Sequence, residues 1–191
     1  MEKFFIGIDL SFSGTGVVIL DSDGKIFKQF LFETKHDEED IYDIEKRMIE
    51  IKDKISNVLE DDYDKIVVAY IENISFGSQG RGADQLAALN YFIRIFLYEK
   101  QINFYMIAPT SLKKYVTGKG QCKKNLMLKE VYKRWGEDFD DDNIADSYSL
   151  ARMAVDDFNR NDGDWVTLKV VKKKKKGKKN KKVVVERNEI I

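Results

Sequence analysis

Cysteine, histidine and proline are nearly absent from this sequence, whose 191 residues contain one of each. The single cysteine, Cys122, excludes a disulfide framework and is typical of a reducing cytosol. The single histidine, His36, lies in a charged segment and argues against a zinc site or a histidine-based catalytic triad. Any hydrolytic chemistry must therefore rest on carboxylates.

Long apolar runs are also missing. No stretch approaches the roughly 20 apolar residues that cross a bilayer, and the N-terminus has no charged segment followed by an apolar one, as a secretory leader would. The chain is long enough for one domain with a substantial hydrophobic core. We therefore expect a cytoplasmic protein with one globular domain and no membrane partner.

The net charge is zero, but the charges are segregated along the chain. Residues 172–182 hold nine of the 33 basic residues, so the remaining 24 are outnumbered by the 33 acidic ones. A basic segment on an otherwise acidic chain predicts a polyanionic partner. We expect residues 161–191 to form a basic C-terminal tail, partly disordered or folded as a hairpin. A tail that only raises solubility is the alternative.

Apolar periodicity predicts an α/β fold built on a five-stranded mixed sheet flanked by helices. The first three strands are joined by short turns and pair antiparallel; the second turn ends on the tight pair Asp23-Gly24. Each later strand follows a helix, and such a crossover implies parallel pairing. The expected strands are 4–10, 16–20, 25–32, 65–73 and 102–108, and the expected helices begin near residues 41, 83, 111, 123 and 140.

Three acidic side chains occupy related places in this pattern. Asp9 ends the first strand, Glu72 ends the fourth, and Asp146 lies on the last helix. If the first strand is central, these positions converge at one edge of the sheet. Crowded carboxylates repel one another unless a cation neutralises them. Mg²⁺ takes hard oxygen ligands, and two such ions about 3.5–4 Å apart activate water and stabilise the leaving 3′ oxygen of a phosphodiester.

The same acids also have simpler interpretations. A carboxylate such as Asp9 can cap the turn that follows it, and Asp140 to Asp142 suit an ordinary helix N-terminus. Asp146 lies past the first helical turn, so capping explains it poorly. Asp142 and Asp146 are four residues apart and project from one side of the helix. The opposite, core-facing stripe consists of Ile144, Tyr148, Ala151, Val155 and Phe158.

Lysines cluster around a glycine-containing turn at residues 117–120. This turn precedes a helix N-terminus, an arrangement that suits phosphate binding. An ordinary solvated face is the alternative. The cluster consists of Lys113, Lys114, Lys119, Lys123, Lys124 and Lys129.

Three segments, Gly7-Ile8-Asp9, Ile71-Glu72-Asn73 and Ala145-Asp146-Ser147, resemble the RuvC branch of the ribonuclease H-like nucleases. The likeness is greatest to the RuvC-like Holliday-junction resolvases of phages and bacteria, and it covers residues 4 to about 158. It implies a ribonuclease H-like nuclease domain over residues 1–160. The implied activity is metal-dependent, structure-selective cleavage of branched DNA that resolves Holliday junctions. It further implies Mg²⁺, with Mn²⁺ substituting, a homodimer with the helix after Gly82 at its interface, and a phage gene acting in the host cytoplasm.

Carried over position by position, the resemblance makes Asp9, Glu72 and Asp146 metal-binding catalytic carboxylates. The family has an acid or histidine three residues before the last of these. Here that position is Asn143, which offers only a neutral oxygen. Asp142 next to it is an equal candidate for the missing metal-binding and catalytic charge.

The resemblance also implies a DNA-binding surface. Lys113 and Lys124 match lysines beside the scissile phosphate, and Lys124 is therefore also expected to be catalytic. Phe76 matches an aromatic residue at the junction centre, where such a wedge stabilises unstacked bases. The remaining expected DNA-binding residues are Arg81, Lys114, Lys119 and Lys123.

Two other functions stay open. An ATP-binding domain of the actin and sugar-kinase superfamily shares this sheet and the opening Gly-Ile-Asp, but the chain is too short for two such lobes and has no second Asp-x-Gly-Gly loop. A catalytically weakened RuvC-like DNA-binding protein is suggested by Asn143.

Overall fold

The computed structural model describes residues 2–74 and 80–161. The strands are β1 (Phe4–Asp9), β2 (Thr15–Leu20), β3 (Ile26–Phe32), β4 (Ile66–Glu72) and β5 (Phe104–Ile107). The α-helices are α1 (Asp43–Leu59), α2 (Arg81–Glu99), α3 (Pro109–Thr117), α4 (Lys124–Trp135) and α5 (Asp142–Arg160), and a 3-10 helix spans Glu60–Lys65.

The strands form one mixed sheet in the order β3-β2-β1-β4-β5. The first three pair antiparallel, whereas β4 and β5 pair parallel to the strands beside them. β2 is buried along its whole length and β1 along all but its last residue, as expected for strands covered on both faces. The predicted five-stranded α/β fold is therefore confirmed.

Helices α1 and α2 cover one face of the sheet. Apolar residues of β1 and β4 form one core cluster with Ile51, Ile55 and Leu59 of α1 and with Leu89, Ile93 and Leu97 of α2. These helical residues recur every three or four positions, so each helix presents a single apolar stripe to the sheet.

Helix α5 packs on the other face, and two glycines admit its backbone. A Cβ on Gly7 would lie 1.8 Å from the carbonyl oxygen of Ser147, and a Cβ on Gly16 would lie 2.4 Å from that of Asn143. Neither position has room for a side chain. The five residues predicted to form the core-facing stripe of α5 are all buried.

Two details of the sequence prediction are wrong. The first helix is expected to begin near residue 41, but α1 begins at Asp43 and Ile41 is 85% exposed. The fifth strand is expected over residues 102–108 and the next helix from residue 111, but β5 spans Phe104–Ile107 and Pro109 is already the first residue of α3. Proline suits that position because the first helical N–H has no partner within the helix.

By its internal contacts the chain divides into Met1–Asp156 and Asp157–Ile191. The first unit holds the sheet, α1 to α4 and α5 as far as Asp156, and of the second the structure describes only residues 157–161. The boundary expected at residue 160 stays a prediction, and residues 162–191 of the basic tail lie outside the described residues. In the described ranges no helix is both long and apolar enough to span a membrane.

Candidate active site

The parallel pairing of β1 and β4 brings two carboxylates side by side. Ile8 is the register partner of Ile71, so Asp9 and Glu72 follow as the next residues on neighbouring strands. Their side chains share a hydrogen bond. The backbone of Glu72 is held by α2, because the buried side chain of Asn90 donates its Nδ2–H to the Glu72 backbone carbonyl oxygen at 3.3 Å.

Helix α5 adds further acids to this pair. The charges of Asp146 and Asp142 both act on the Asp9 carboxyl. The Asp9 backbone N–H donates to the Ser147 hydroxyl at 3.2 Å, which joins the end of β1 to this turn of α5. The structure thus brings together Asp9, Glu72, Asp142 and Asp146, four of the predicted site residues.

The pKa values of Asp9 and Glu72 are both raised. Burial, followed by the charges of Glu72 and Asp146, raises the pKa of Asp9 from 3.8 to about 9. Burial also raises the pKa of Glu72, although the Lys113 ammonium and the hydrogen bond from Asp9 act in the opposite direction. Burial is the largest cause of both shifts, because a carboxylate removed from water resists ionisation, and only for Asp9 do neighbouring carboxylates add to it.

Residues from other elements hold the turn that follows Asp9. The Phe12 carbonyl oxygen accepts hydrogen bonds from the Thr34 hydroxyl at 2.7 Å and from Arg47 at 3.1 Å. Arg47 also donates to Thr34 and Asp43 and stacks over the Phe12 ring. Within the turn, Thr15 both accepts from and donates to the Ser11 backbone. The carboxylate is therefore followed by a rigid turn rather than a loose one.

Asp142 and Asn143, the two candidates for the fourth metal position, have different surroundings. The Asp142 charge contributes to the raised pKa of Asp9. Asn143 faces the β1–β2 turn, since a Cβ on Gly14 would lie 3.1 Å from its Nδ2. The neighbouring Asp141 caps α5, its Oδ1 accepting from the Asn143 and Ile144 N–H groups. The expected capping chemistry at this helix is thus performed by Asp141.

The chemistry of the donor set fits a divalent cation. Asp9, Glu72, Asp142 and Asp146 offer hard oxygen atoms of the kind that Mg²⁺ prefers, and a positive ion would offset the neighbouring charges that help to raise the pKa of Asp9. Across residues 2–74 and 80–161, no three acidic, histidine or cysteine side chains already stand in position to share one ion.

One predicted DNA-binding lysine lies next to the carboxylates. Lys113 of α3 acts electrostatically on Glu72. Lys114, Lys119 and Lys123 are exposed on α3 and the turn before α4. The Thr117 hydroxyl orders that turn by donating to the backbone of Lys113 and Lys119.

The remaining predicted residues are less informative. Phe76 lies outside the described residues, and so does the side chain of Lys124, the first residue of α4. Arg81 is the exposed first residue of α2 and lines a cavity of about 800 Å³ with His36, Asp37 and Arg47. The four carboxylates are not among the residues lining that cavity.

Sequence reasoning missed two polar residues that hold the site in place. Asn90 is 2% exposed within the apolar face of α2, and an amide in such a stripe is the signal that reveals it. Ser147 is fully buried beside Asp146. Its place immediately after a candidate ligand was visible, but its partner on another element was not.

A mixed sheet of this order, with acids at the ends of β1 and β4 and on a late helix, defines the ribonuclease H-like class of folds. Residues 5–152 match the family model described as crossover junction endodeoxyribonuclease RuvC. The chain therefore belongs to the RuvC family, which marks it as a nuclease of the crossover-junction type. No curated protein is similar enough in sequence to match it.

Solved structures show the same fold. The structure of Thermus thermophilus RuvC matches with a TM-score of 0.64 at 19% identity, over 84% of this chain and 97% of that chain. The T. thermophilus RuvC in complex with a Holliday junction substrate matches with a TM-score of 0.65 at 15% identity, over the same shares of the two chains.

Proposed function

We propose that this protein is a metal-dependent, structure-selective endonuclease that hydrolyses phosphodiester bonds in branched DNA and resolves Holliday junctions. One observation supports the proposal: Glu72, Asp142 and Asp146 all act on the carboxyl group of Asp9, whose pKa burial and these neighbours raise to about 9. Several carboxylates close together repel one another and destabilise the fold unless a bound cation neutralises them. Family membership and the junction-bound relative supply the substrate class.

Asp9, Glu72 and Asp146 would hold Mg²⁺ or Mn²⁺, with Asp142 or Asn143 completing the ligand set. Two bound ions would supply an activated water and charge stabilisation for the leaving 3′ oxygen. The fold would contribute by holding the carboxylate oxygens on the strands β1 and β4 and the helix α5. Lys113 and Lys124 would contact the phosphates around the scissile bond, and Lys114, Lys119, Lys123, Arg81 and Phe76 would bind the flanking DNA.

The test is cleavage of matched four-way-junction, flap and linear DNA in Mg²⁺ or Mn²⁺. We expect branched DNA to be cut, and cutting to disappear in Asp9→Asn and Glu72→Gln. Junction binding without cleavage in either metal would instead support the catalytically weakened, binding-only function suggested by Asn143. ATP binding measured by calorimetry, without nuclease activity, would support the kinase-like alternative.

We further propose that the protein acts as a homodimer through α2. The solvent face of this helix is apolar: Tyr91, Ile95 and Tyr98 are 60%, 54% and 77% exposed. With Ala88 they recur at alternating spacings of three and four residues, the pattern of a helix that pairs with another helix. A second copy of the chain suits this surface because a four-way junction requires two symmetrically placed cuts.

The basic tail would add affinity that is not specific for sequence. Nine lysines within residues 172–182 would release counterions from DNA, so binding should weaken steeply with salt. If deleting residues 162–191 leaves the salt dependence of junction affinity unchanged, this role is wrong. The reducing environment suited to one cysteine supports action in the cytoplasm, that of the host if the gene is a phage gene. Fractionation of expressing cells tests the location.

A further inference from the structure

We propose that Ser147 is a positioning residue that locks the Asp9 end of β1 to the turn of α5 carrying Asn143 and Asp146. The inference rests on the proposed function, because it assigns Ser147 to the same site. Ser147 itself is not assigned to substrate or metal. Its role is to set the distance between carboxylates that belong to different elements.

The hydroxyl of Ser147 makes two hydrogen bonds with different consequences. It donates to the Asn143 carbonyl oxygen one turn earlier at 2.7 Å, and it accepts from the Asp9 backbone N–H at 3.2 Å. The first bond lies within α5, and the second crosses to β1. Ser147 is fully buried, so an alanine there would leave the Asp9 N–H without this acceptor in a place that water reaches poorly.

The surrounding packing leaves the hydroxyl little freedom. A Cβ on Gly16 would lie 2.4 Å from the Ser147 Oγ, and one on Gly7 would lie 1.8 Å from the Ser147 carbonyl oxygen. The helix therefore lies close against the sheet at this residue. A contact fixed on both sides transmits the position of α5 directly to the backbone of Asp9.

Ser149 provides a matched control two residues along the same helix. Its hydroxyl donates to the Ala145 carbonyl oxygen at 2.7 Å, and it is also fully buried. Both serines therefore make the same bond to the carbonyl four residues earlier. Of the two, Ser147 makes the described hydrogen bond to Asp9.

The experiment compares Ser147→Ala with Ser149→Ala in the full chain. We expect both variants to fold with a lower Tm, Ser147→Ala having the lower one because it also loses the bond to Asp9. A fall of about 10- to 100-fold in the single-turnover cleavage rate is expected only for Ser147→Ala, because small displacements of catalytic groups have effects of this size. The Kd for the junction, measured in Ca²⁺, should be the same for both variants. Mn²⁺ binding, measured by calorimetry without DNA, should weaken only in Ser147→Ala.

A second readout reports the bond itself. In amide hydrogen exchange followed by NMR, the Asp9 N–H should lose protection in Ser147→Ala and keep it in Ser149→Ala. If Ser147→Ala fails to fold, Ser147→Cys, with a weaker acceptor of similar shape, takes its place in the same assays.

Equal cleavage rates, equal Mn²⁺ affinities and unchanged Asp9 exchange in the two alanine variants would overturn the positioning role. That outcome, with wild-type protein that cuts junctions, would leave the proposed nuclease function intact. If wild-type protein cuts no branched DNA, the proposed function itself fails, whereas the exchange measurement still reports on the hydrogen bond between Ser147 and Asp9.

Discussion

Asp9 is a carboxyl group that the fold keeps protonated. Its pKa is raised to about 9 by burial and by the charges of Glu72 and Asp146. Between pH 4 and pH 9 the folded protein therefore binds a proton at this residue that the unfolded chain has released. The free energy of unfolding of the metal-free protein falls as the pH rises through this window. A bound divalent cation would replace the proton and reverse the effect.

Asp9→Asn should remove this contribution to the pH dependence. The amide has nearly the shape of the protonated acid and stays neutral, so we expect the variant's stability to fall less steeply between pH 5 and pH 9. Urea unfolding at several pH values in EDTA measures the slope. Asp138→Asn, at an exposed acid, is the control and should behave like wild type. A slope in Asp9→Asn as steep as that of the wild type would contradict the raised pKa.

At the scale of elements, the site depends on how closely α5 approaches the sheet. Gly7 and Gly16 are the positions where the helix backbone meets β1 and β2. That approach brings Asp142 and Asp146 close enough for their charges to act on Asp9 at the end of β1. Glycine is required at these two positions for space, not for an unusual backbone angle.

Gly7→Ala should therefore destabilise the protein. The added methyl group would overlap the α5 backbone, and overpacking of this kind costs about 1–3 kcal/mol or more. Gly82→Ala is the matched control, since nothing lies within 4 Å of its added Cβ and it sits within α2. Alanine there should stabilise the helix by up to about 1 kcal/mol. Urea unfolding measures both changes, and an unchanged Gly7→Ala stability would contradict the close approach.

The elements were predictable from the sequence because apolar spacing and turn residues are local signals. All five strands and all five α-helices occur close to the expected places. The error at Ile41 arose because periodicity alone extends a helix past its true start. Side-chain contacts, not helical hydrogen bonds, hold the segment before α1. The Asp43 carboxylate accepts a hydrogen bond from the Asp37 N–H and contacts His36 and Arg47.

The acidic residues of the candidate site could be predicted from the sequence, but the residues that hold them in position could not. Asp9 and Glu72 end apolar strands, which marks them in the sequence. The bonds from Ser147 to Asp9 and from Asn90 to Glu72 join residues 138 and 18 positions apart. Such contacts depend on tertiary packing and leave no local pattern.

At the scale of the whole molecule, the exposed apolar face of α2 predicts self-association. Ile95→Lys should produce a monomer because it places a charge in the middle of that face. Ile49→Lys, on α1, is the control, since Ile49 is exposed to a similar degree at 49%. Sedimentation velocity at several concentrations distinguishes the states. A wild-type monomer, or a dimer that Ile95→Lys leaves intact, would contradict the α2 interface.

The central claim is that the carboxylates around Asp9 hold the ions that cleave branched DNA. The most direct test titrates Mn²⁺ into EDTA-treated protein, following ion binding by calorimetry and four-way-junction cleavage in the same samples. We predict that cleavage appears as ions bind, and that Glu72→Gln folds and binds the junction but loses tight Mn²⁺ binding and cleavage together. Junction cleavage that persists in excess EDTA, or full Mn²⁺ affinity in Glu72→Gln, would contradict the account.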